Sequence, residues 1–333
     1  MTLRSPYLLF LGDAPDQLAA KTAAGVAHWR PDSAVGQFRL PGCKADLGVP
    51  DMTIEAAAAA GVGTVIVGVA NRGGFLGEGW DVPLVRALEL GMDLASGLHR
   101  RLSEVPALRD AAARLGRRLV DVRQPTRDFE VANGLKRPGK RLLTVGTDCS
   151  CGKMFTALAL EREMRARGLK ADFRATGQTG ILIAGDGVSI DAVVADFISG
   201  AVEWLTPAND PDHWDLIEGQ GSLFHASYAG VSLGLLHGAQ PDALVMCHEP
   251  TRTHMRGLRH YPLPDLAVCI ERNLESARLT NPAVRCVGLS INTAALEPAA
   301  ARDCVREMED SLGLPCIDPV RTGVGPIVDR LMA

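Results

Sequence analysis

The 333-residue chain is long enough for two domains of ordinary size. Hydrophobic residues make up 47% and charged residues 22%, which supports a sizeable core and excludes a disordered, collagen-like or coiled-coil protein. With 35 Lys+Arg against 39 Asp+Glu the formal net charge is −4, and aromatics are only 5%, so a basic nucleic-acid binder and a base-stacking surface are both disfavoured.

The first apolar run ends in an acidic turn after Gly12, so it does not read as a signal peptide. The mild stretch Ala56–Ala70 falls short of the roughly 20 apolar residues a spanning helix needs, and a cytoplasmic protein is expected. The eight cysteines are scattered, form no CxxC, and read as free thiols of a reducing compartment.

Taken in chain order, Tyr7–Leu11 reads as a strand and Asp16–Trp29 as a helix, with a further helix at Ala56–Ala60. Thr64–Ala70 is a β-branched run suited to a parallel strand buried on both faces. Pro83–Leu90 reads as helix, Met92–Ser96 as a further segment, Ala107–Leu115 as helix and Leu119–Val122 as strand. The stretch Leu135–Arg141, with Gly, Pro and four cations, reads as a linker. Beyond it, strands are predicted at Leu142–Val145, Ala171–Arg174, Asp215–Ile217, Ala243–Met246, Leu266–Ile270, Val284–Leu289 and Pro315–Ile317. Helices are predicted at Lys153–Arg167, Ile190–Leu205, Pro298–Leu312 and Pro326–Leu331, the last two opening on a proline that suits a first helical position. Alternation of this kind implies an α/β fold in two domains, residues 1–136 and 140–333, each a mainly parallel sheet flanked by helices.

The most informative stretch is Gly146-Thr147-Asp148-Cys149-Ser150-Cys151-Gly152-Lys153-Met154, an apolar strand running through a loop into a helix. It resembles a P-loop with one extra residue between its glycines. Inward backbone amides, the helix N-terminus and Lys153 would together hold phosphates. A P-loop that drives Mg²⁺-dependent phosphoryl transfer places Ser or Thr after the lysine, and here that position is Met154. Thr156 lies two residues on, about 200° around the helix, and cannot easily substitute. The loop therefore suits a ligand whose phosphates are a handle, such as coenzyme A. Cys149 and Cys151 sit where thiol pKa values tend to fall, as nucleophiles or simply as small residues fitting a tight loop.

Ligands of parallel sheets sit at the carboxyl ends of strands. Segments there are Arg174 to Gly180, with Gln178, and Glu218 to Ser222, with Gln220. Glu218 is a candidate general base or a capping carboxylate. His225 and His248 are further base candidates, and Arg174, Arg252 and Arg256 are cations for substrate carboxylates. His248 and His254 are six apart, not a standard ligand spacing, so no metal is expected. In the first half, Lys44, Gly68–Gly74 and Ser96–His99 lie near strand ends, but no dinucleotide fingerprint follows the first strand.

The segments GMDLASGLH, GTDCSCGKM, ATGQTGILIAGDGVSIDAVVADF, EGQGSLFHASYAGVSLGLLHGAQPDALVMCHEPTRTH and LPCIDPVRTG resemble those of a two-domain family long described only as a domain of unknown function, some members of which are assigned as D-glutamate N-acetyltransferases. The resemblance implies a Rossmann-like N-terminal domain, a P-loop-like C-terminal domain, acetyl-CoA as cosubstrate and D-glutamate as acceptor in D-amino acid catabolism. It implies a small-molecule amino acid substrate; composition and run lengths already argue against nucleic acid and membrane as partners, and a homo-oligomer stays open. The loop alone is also similar to that of dethiobiotin synthetase. An ATP-dependent ligase or kinase, or a non-catalytic nucleotide- or CoA-binding protein, are the alternatives.

Overall fold

The computed structural model describes residues 3–70, 74–125 and 127–333, arranged as two compact units. One unit comprises Met1–Thr126 with Gln178–Ser189, the other Arg127–Gly177 with Ile190–Ala333.

The first unit is built on a parallel sheet of order β2-β1-β3-β4-β5: β1 Tyr7–Gly12, β2 Ala34–Arg39, β3 Thr64–Val67, β4 Asp93–Ser96 and β5 Leu119–Asp121. Strand order reverses beside β1, which makes the ends of β1 and β3 the topological switch point. The helices are α1 Lys21–Trp29, α2 Ile54–Ala59, α3 Asp81–Glu89 and α4 Pro106–Leu115. Thr53 caps α2 by accepting the Ala56 amide at 3.1 Å. Phe10 stacks on Phe38 at 5.5 Å and meets the edge of Trp80 at 5.3 Å, with Leu8, Val65, Leu84, Leu88 and Leu94 around them. Gly12, at φ +53°, lies so close to the Trp80 ring that a Cβ would stand 2.3 Å from it. Strand β2, absent from the sequence reading, pairs with one side of β1.

Helix α6, Gln178–Ala184, also belongs to this unit. Thr22 of α1 and Thr179 of α6 share a hydroxyl hydrogen bond of 3.2 Å. The sequence reading treats this stretch as a loop after a strand. Its Gly-Ile-Leu-Ile core is buried, and seven residues are too few to display a helical period.

The second unit carries a six-stranded parallel sheet of order β11-β10-β9-β6-β8-β7. Its strands are β6 Lys140–Gly146, β7 Ala171–Arg174, β8 Trp214–Ile217, β9 Ala243–His248, β10 Arg285–Ile291 and β11 Cys316–Ile317. The helices are α5 Lys153–Ala166, α7 Ile198–Leu205, α8 Ala229–Ala239, α9 Leu266–Arg278, α10 Pro298–Leu312 and α11 Gly325–Met332. From β6 the chain passes through α5 to the outer strand β7 and returns to β8 beside β6, so the switch point falls at the end of β6, where the phosphate-type loop begins.

Three expectations are corrected. Leu266–Ile270 is not a strand but the first turns of α9: Asp265 caps it by accepting the Val268 amide at 3.1 Å, and burial at Cys269, Asn273, Leu274 and Ala277 follows the helical period. Ile190–Leu205 is not one helix. It opens as two 3₁₀ turns, Ile190–Ala192 and Ala195–Phe197, before α7. The cationic stretch Leu135–Arg141 is not a loose linker. Arg141 is fully buried in β6, and its guanidinium donates to the carbonyls of Arg137, Gly139, Pro138, Thr206 and Pro207. Arg137 donates to the Thr206 carbonyl at 2.8 Å and the Gly238 carbonyl at 2.8 Å. The second unit starts at Arg127, ahead of the junction expected near residues 136–140.

Helix α8 escaped the sequence reading because its glycines lower helix propensity. Two of them serve packing instead: a Cβ on Gly234 would lie 2.7 Å from Ile198 and one on Gly238 2.3 Å from the Ser199 carbonyl oxygen, so only glycine lets α8 approach α7 this closely. Among the described residues no helix is long and apolar enough to cross a membrane.

Candidate active site

The loop from Gly146 to Gly152 leaves the central strand β6 and delivers Lys153 as the first residue of α5. Ser150 at φ 54° and Gly152 at φ +110° take left-handed backbone conformations, the turn chemistry that curls successive amides inward. The amides of Ser150 and Gly152 have no hydrogen-bond acceptor among the described residues. Lys153 is 6% exposed, and its Nζ donates to the Asp148 carbonyl at 2.7 Å. Thr156 faces away from the loop mouth, bonded to the Gly152 carbonyl at 3.0 Å and to Ser290 Oγ at 2.7 Å. It does not replace the hydroxyl that Met154 lacks.

Glu218 follows β8 directly and is buried. Its Oε2 accepts the amides of Thr176 at 3.0 Å and Gly177 at 3.1 Å. Burial nevertheless dominates and pushes the carboxyl up from 4.5 to about 7, against these donors, the Gln220 amide and the Lys153 charge. That places it where a general base works at neutral pH. Gly219 lets this strand end pass across β6: a Cβ there would lie 1.7 Å from the Thr144 carbonyl oxygen and 2.9 Å from Lys153 Cδ. The Gly219 amide donates to Thr144 Oγ1 at 3.0 Å, leaving the amides of Gln220, Gly221 and Ser222 without an acceptor among the described residues.

On the other flank, the fully buried Asp148 carboxylate accepts from Arg252 Nη1 at 2.6 Å and from the Arg256 amide at 2.8 Å. Arg252 also donates to the Cys149 carbonyl at 2.7 Å and pairs with Glu249. His225 is 2% exposed, its Nδ1 accepts the Ser227 amide at 3.1 Å, and its Nε2 faces the Arg256 carbonyl at 3.1 Å. With one nitrogen accepting, the other carries the proton, so both are engaged. His248 meets Thr147 Oγ1 at 3.0 Å, and burial with the Arg252 charge lowers its pKa, keeping the ring neutral. Cys149 departs from the expectation of an acidified thiol: burial pushes it up, and Lys153 only partly offsets that.

The structure thus brings together residues 146–154, Glu218, Gln220, His225, His248, Arg252 and Arg256 around the end of β6. It does not bring the Arg174 guanidinium there, since Arg174 Nε turns to Asp215 at 2.7 Å. Gln178 belongs to the first unit, where it packs on Gly97. Of the first-half candidates, Lys44 is exposed and Ser96 is buried, its hydroxyl accepting the Leu98 amide at 3.1 Å; in Gly68–Gly74, residues 71–73 lie outside the described residues. Asp148, Cys149 and His225 present ligand-type atoms within 4.8 Å of one another, but Arg252 already neutralises Asp148 and both His225 nitrogens are spoken for. Sequence reasoning missed Thr144, and it took in Thr176 and Ser222 only as members of their segments, with no role for their hydroxyls. Ser222 Oγ donates to the Thr147 carbonyl at 3.1 Å, and Thr176 Oγ1 to the Glu218 carbonyl at 2.5 Å. Isolated hydroxyls at strand ends carry no spacing signal that would single them out.

Residues 130–328 match the domain of unknown function DUF1611_C, described as a P-loop domain, and residues 38–125 match DUF1611_N, a Rossmann-like domain. The chain belongs to the DUF1611 family. A crystal structure of a DUF1611 protein from Anabaena variabilis superposes with a TM-score of 0.89 at 33% identity, covering 99% of both chains. Two relatives carry a functional name. One from Tritonibacter scottomollicae, 58% identical over 99% of each chain, is named D-glutamate N-acetyltransferase. One from a Pseudoalteromonas species bears the same name and is 49% identical over 99% of this chain and 100% of its own.

Proposed function

We propose that this chain is a D-glutamate N-acetyltransferase that takes its acetyl group from acetyl-CoA. The observation that carries the reading is a buried carboxylate, Glu218, set at the strand end that crosses the Lys153 phosphate-type loop, where burial pushes it up to about 7. Full-length similarity to two proteins of that name supports it.

In this reading the amides of Ser150 and Gly152 and the Lys153 ammonium hold the phosphates of coenzyme A, whose thioester supplies the acetyl group. The acceptor arrives as an ammonium and must lose a proton before it attacks. Glu218, about half ionised near pH 7, takes that proton. A C–N bond forms as the C–S bond breaks, and the thiol leaves with a proton. The amides of Gln220–Ser222 face the developing oxyanion. Neither His225, with both nitrogens bonded, nor Cys149, with its raised pKa, is needed as base or nucleophile. The Arg256 guanidinium, which has no hydrogen-bond or ion-pair partner among the described residues, takes an acceptor carboxylate. Eight free thiols fit a cytoplasmic setting.

The test is thiol release from acetyl-CoA with a panel of D- and L-amino acids, with and without EDTA. Release with D-glutamate that persists in EDTA supports the reading, and its kcat/KM should rise with pH through about 7. No release with any amine, alongside Mg²⁺-dependent ATP turnover, would overturn it in favour of a ligase.

A further inference from the structure

We infer that His225 is a positioning residue, whose imidazole fixes the Arg256 main chain so that the Arg256 guanidinium is presented to a carboxylate of the acceptor. The inference rests on the acetyltransfer reading for the identity of that acceptor.

The excursion from Thr253 to Leu263 is closed by an antiparallel bridge between His254 and Pro262 and by the Leu263 amide on the Thr253 carbonyl at 3.1 Å. Buried Met255 anchors it, and its amide donates to the Tyr261 carbonyl at 2.8 Å. The next residue is Arg256, and both of its backbone polar groups are held from outside the excursion. Its amide goes to Asp148 at 2.8 Å and its carbonyl to His225 Nε2 at 3.1 Å. Loops do not ordinarily commit two buried side chains to the backbone of one half-buried residue.

The imidazole is itself fixed. The Ser227 amide at 3.1 Å occupies Nδ1 and so assigns the proton to Nε2. The ring packs on Tyr228 at 4.6 Å between centroids. Arg252 is consumed by Asp148, Glu249 and the Cys149 carbonyl, whereas the Arg256 guanidinium has no partner among the described residues and is left for a ligand. Its charge reaches the Cys149 thiol of the phosphate-type loop. The geometry therefore separates the two arginines: Arg252 holds the loop together, and Arg256 is aimed by His225.

The experiment compares His225→Gln with His225→Asn in steady-state acetyl transfer and in calorimetric binding of D-glutamate. A glutamine carries its amide nitrogen to about the place of Nε2, whereas an asparagine reaches only that of Nδ1. Gln should keep KM and Kd for D-glutamate close to wild type, and Asn should raise both roughly 10-fold, as for a lost charge-assisted contact, with the acetyl-CoA KM little changed. In an Arg256→Ala background the Asn substitution should add no further rise. A base role would instead lower kcat in both variants at constant KM, and a purely packing role would move both alike; either result overturns the inference, as does an Asn effect that persists without Arg256. A wild-type protein that binds D-glutamate without acetylating it sinks the function reading alone, leaving the calorimetric comparison to decide this one. A wild-type protein that does not bind D-glutamate overturns both.

Discussion

In the variant Glu218→Gln the chain keeps an oxygen for the Thr176 and Gly177 amides but loses the ability to ionise. Burial moves this carboxyl from 4.5 to about 7. The folded protein therefore holds the proton more tightly than the unfolded chain does between those two values. Stability is unpenalised below pH 4.5, falls as pH rises through the window, and is lowest above pH 7. At about 1.4 kcal/mol for each pH unit, the full penalty is about 3 kcal/mol. Glutamine removes it, so the variant should gain on wild type as pH rises, reaching about 3 kcal/mol by pH 8. Urea unfolding at several pH values, followed by the fluorescence of buried Trp214 in the same unit, reads the difference. Parallel stability curves for the two proteins would refute the buried-acid argument. The same variant should lose the rise of kcat/KM through neutrality, which separates a catalytic carboxylate from a merely uncomfortable one.

Lys153→Ala should raise the Michaelis constant for acetyl-CoA with less effect on that for the acceptor, and an unchanged donor constant in steady-state kinetics would remove Lys153 from phosphate binding. Arg252→Ala leaves the Asp148 carboxylate buried without its cation, and a loss of about 3–5 kcal/mol is expected by chemical denaturation, relieved in part by adding Asp148→Asn. Gly219→Ala has no room for its methyl against the Thr144 carbonyl, so β6 or the β8 end must shift, with a stability cost of roughly 1–3 kcal/mol and a larger loss of kcat. An alanine variant with wild-type activity would show that the Glu218 backbone tolerates displacement.

Much of this was legible in the sequence because it is written in local patterns. The β-branched run around Val65 and Ile66 becomes a buried parallel strand, and the glycines and lysine of 146–153 become a loop and helix start at the switch point. Glu218 could be picked out by its place after a strand and just before Gly219 and Gly221, but not its acidity, which depends on burial. The failures have a common cause. Leu266–Ile270 looks like a strand until the apolar positions beyond it are counted, and α8 goes unassigned until the neighbouring helix that needs its glycines is known. Arg174 is committed to Asp215 on the neighbouring strand, and strand pairing across 41 residues leaves no trace in spacing.

The place of α6 bears on how the molecule is made. The first unit takes Gln178–Ser189 as well as Met1–Thr126, so its last helix is encoded after the phosphate-type loop of the second. During synthesis α1 emerges long before the partner of its Thr22 hydroxyl. At about 5–20 residues per second, the interval between residues 126 and 189 is roughly 3–13 s. For that time the nascent first unit is incomplete, and a gene fragment ending near residue 126 leaves it so permanently. The apolar Ile181, Leu182 and Ile183 would in turn be orphaned in any fragment that begins at Arg127.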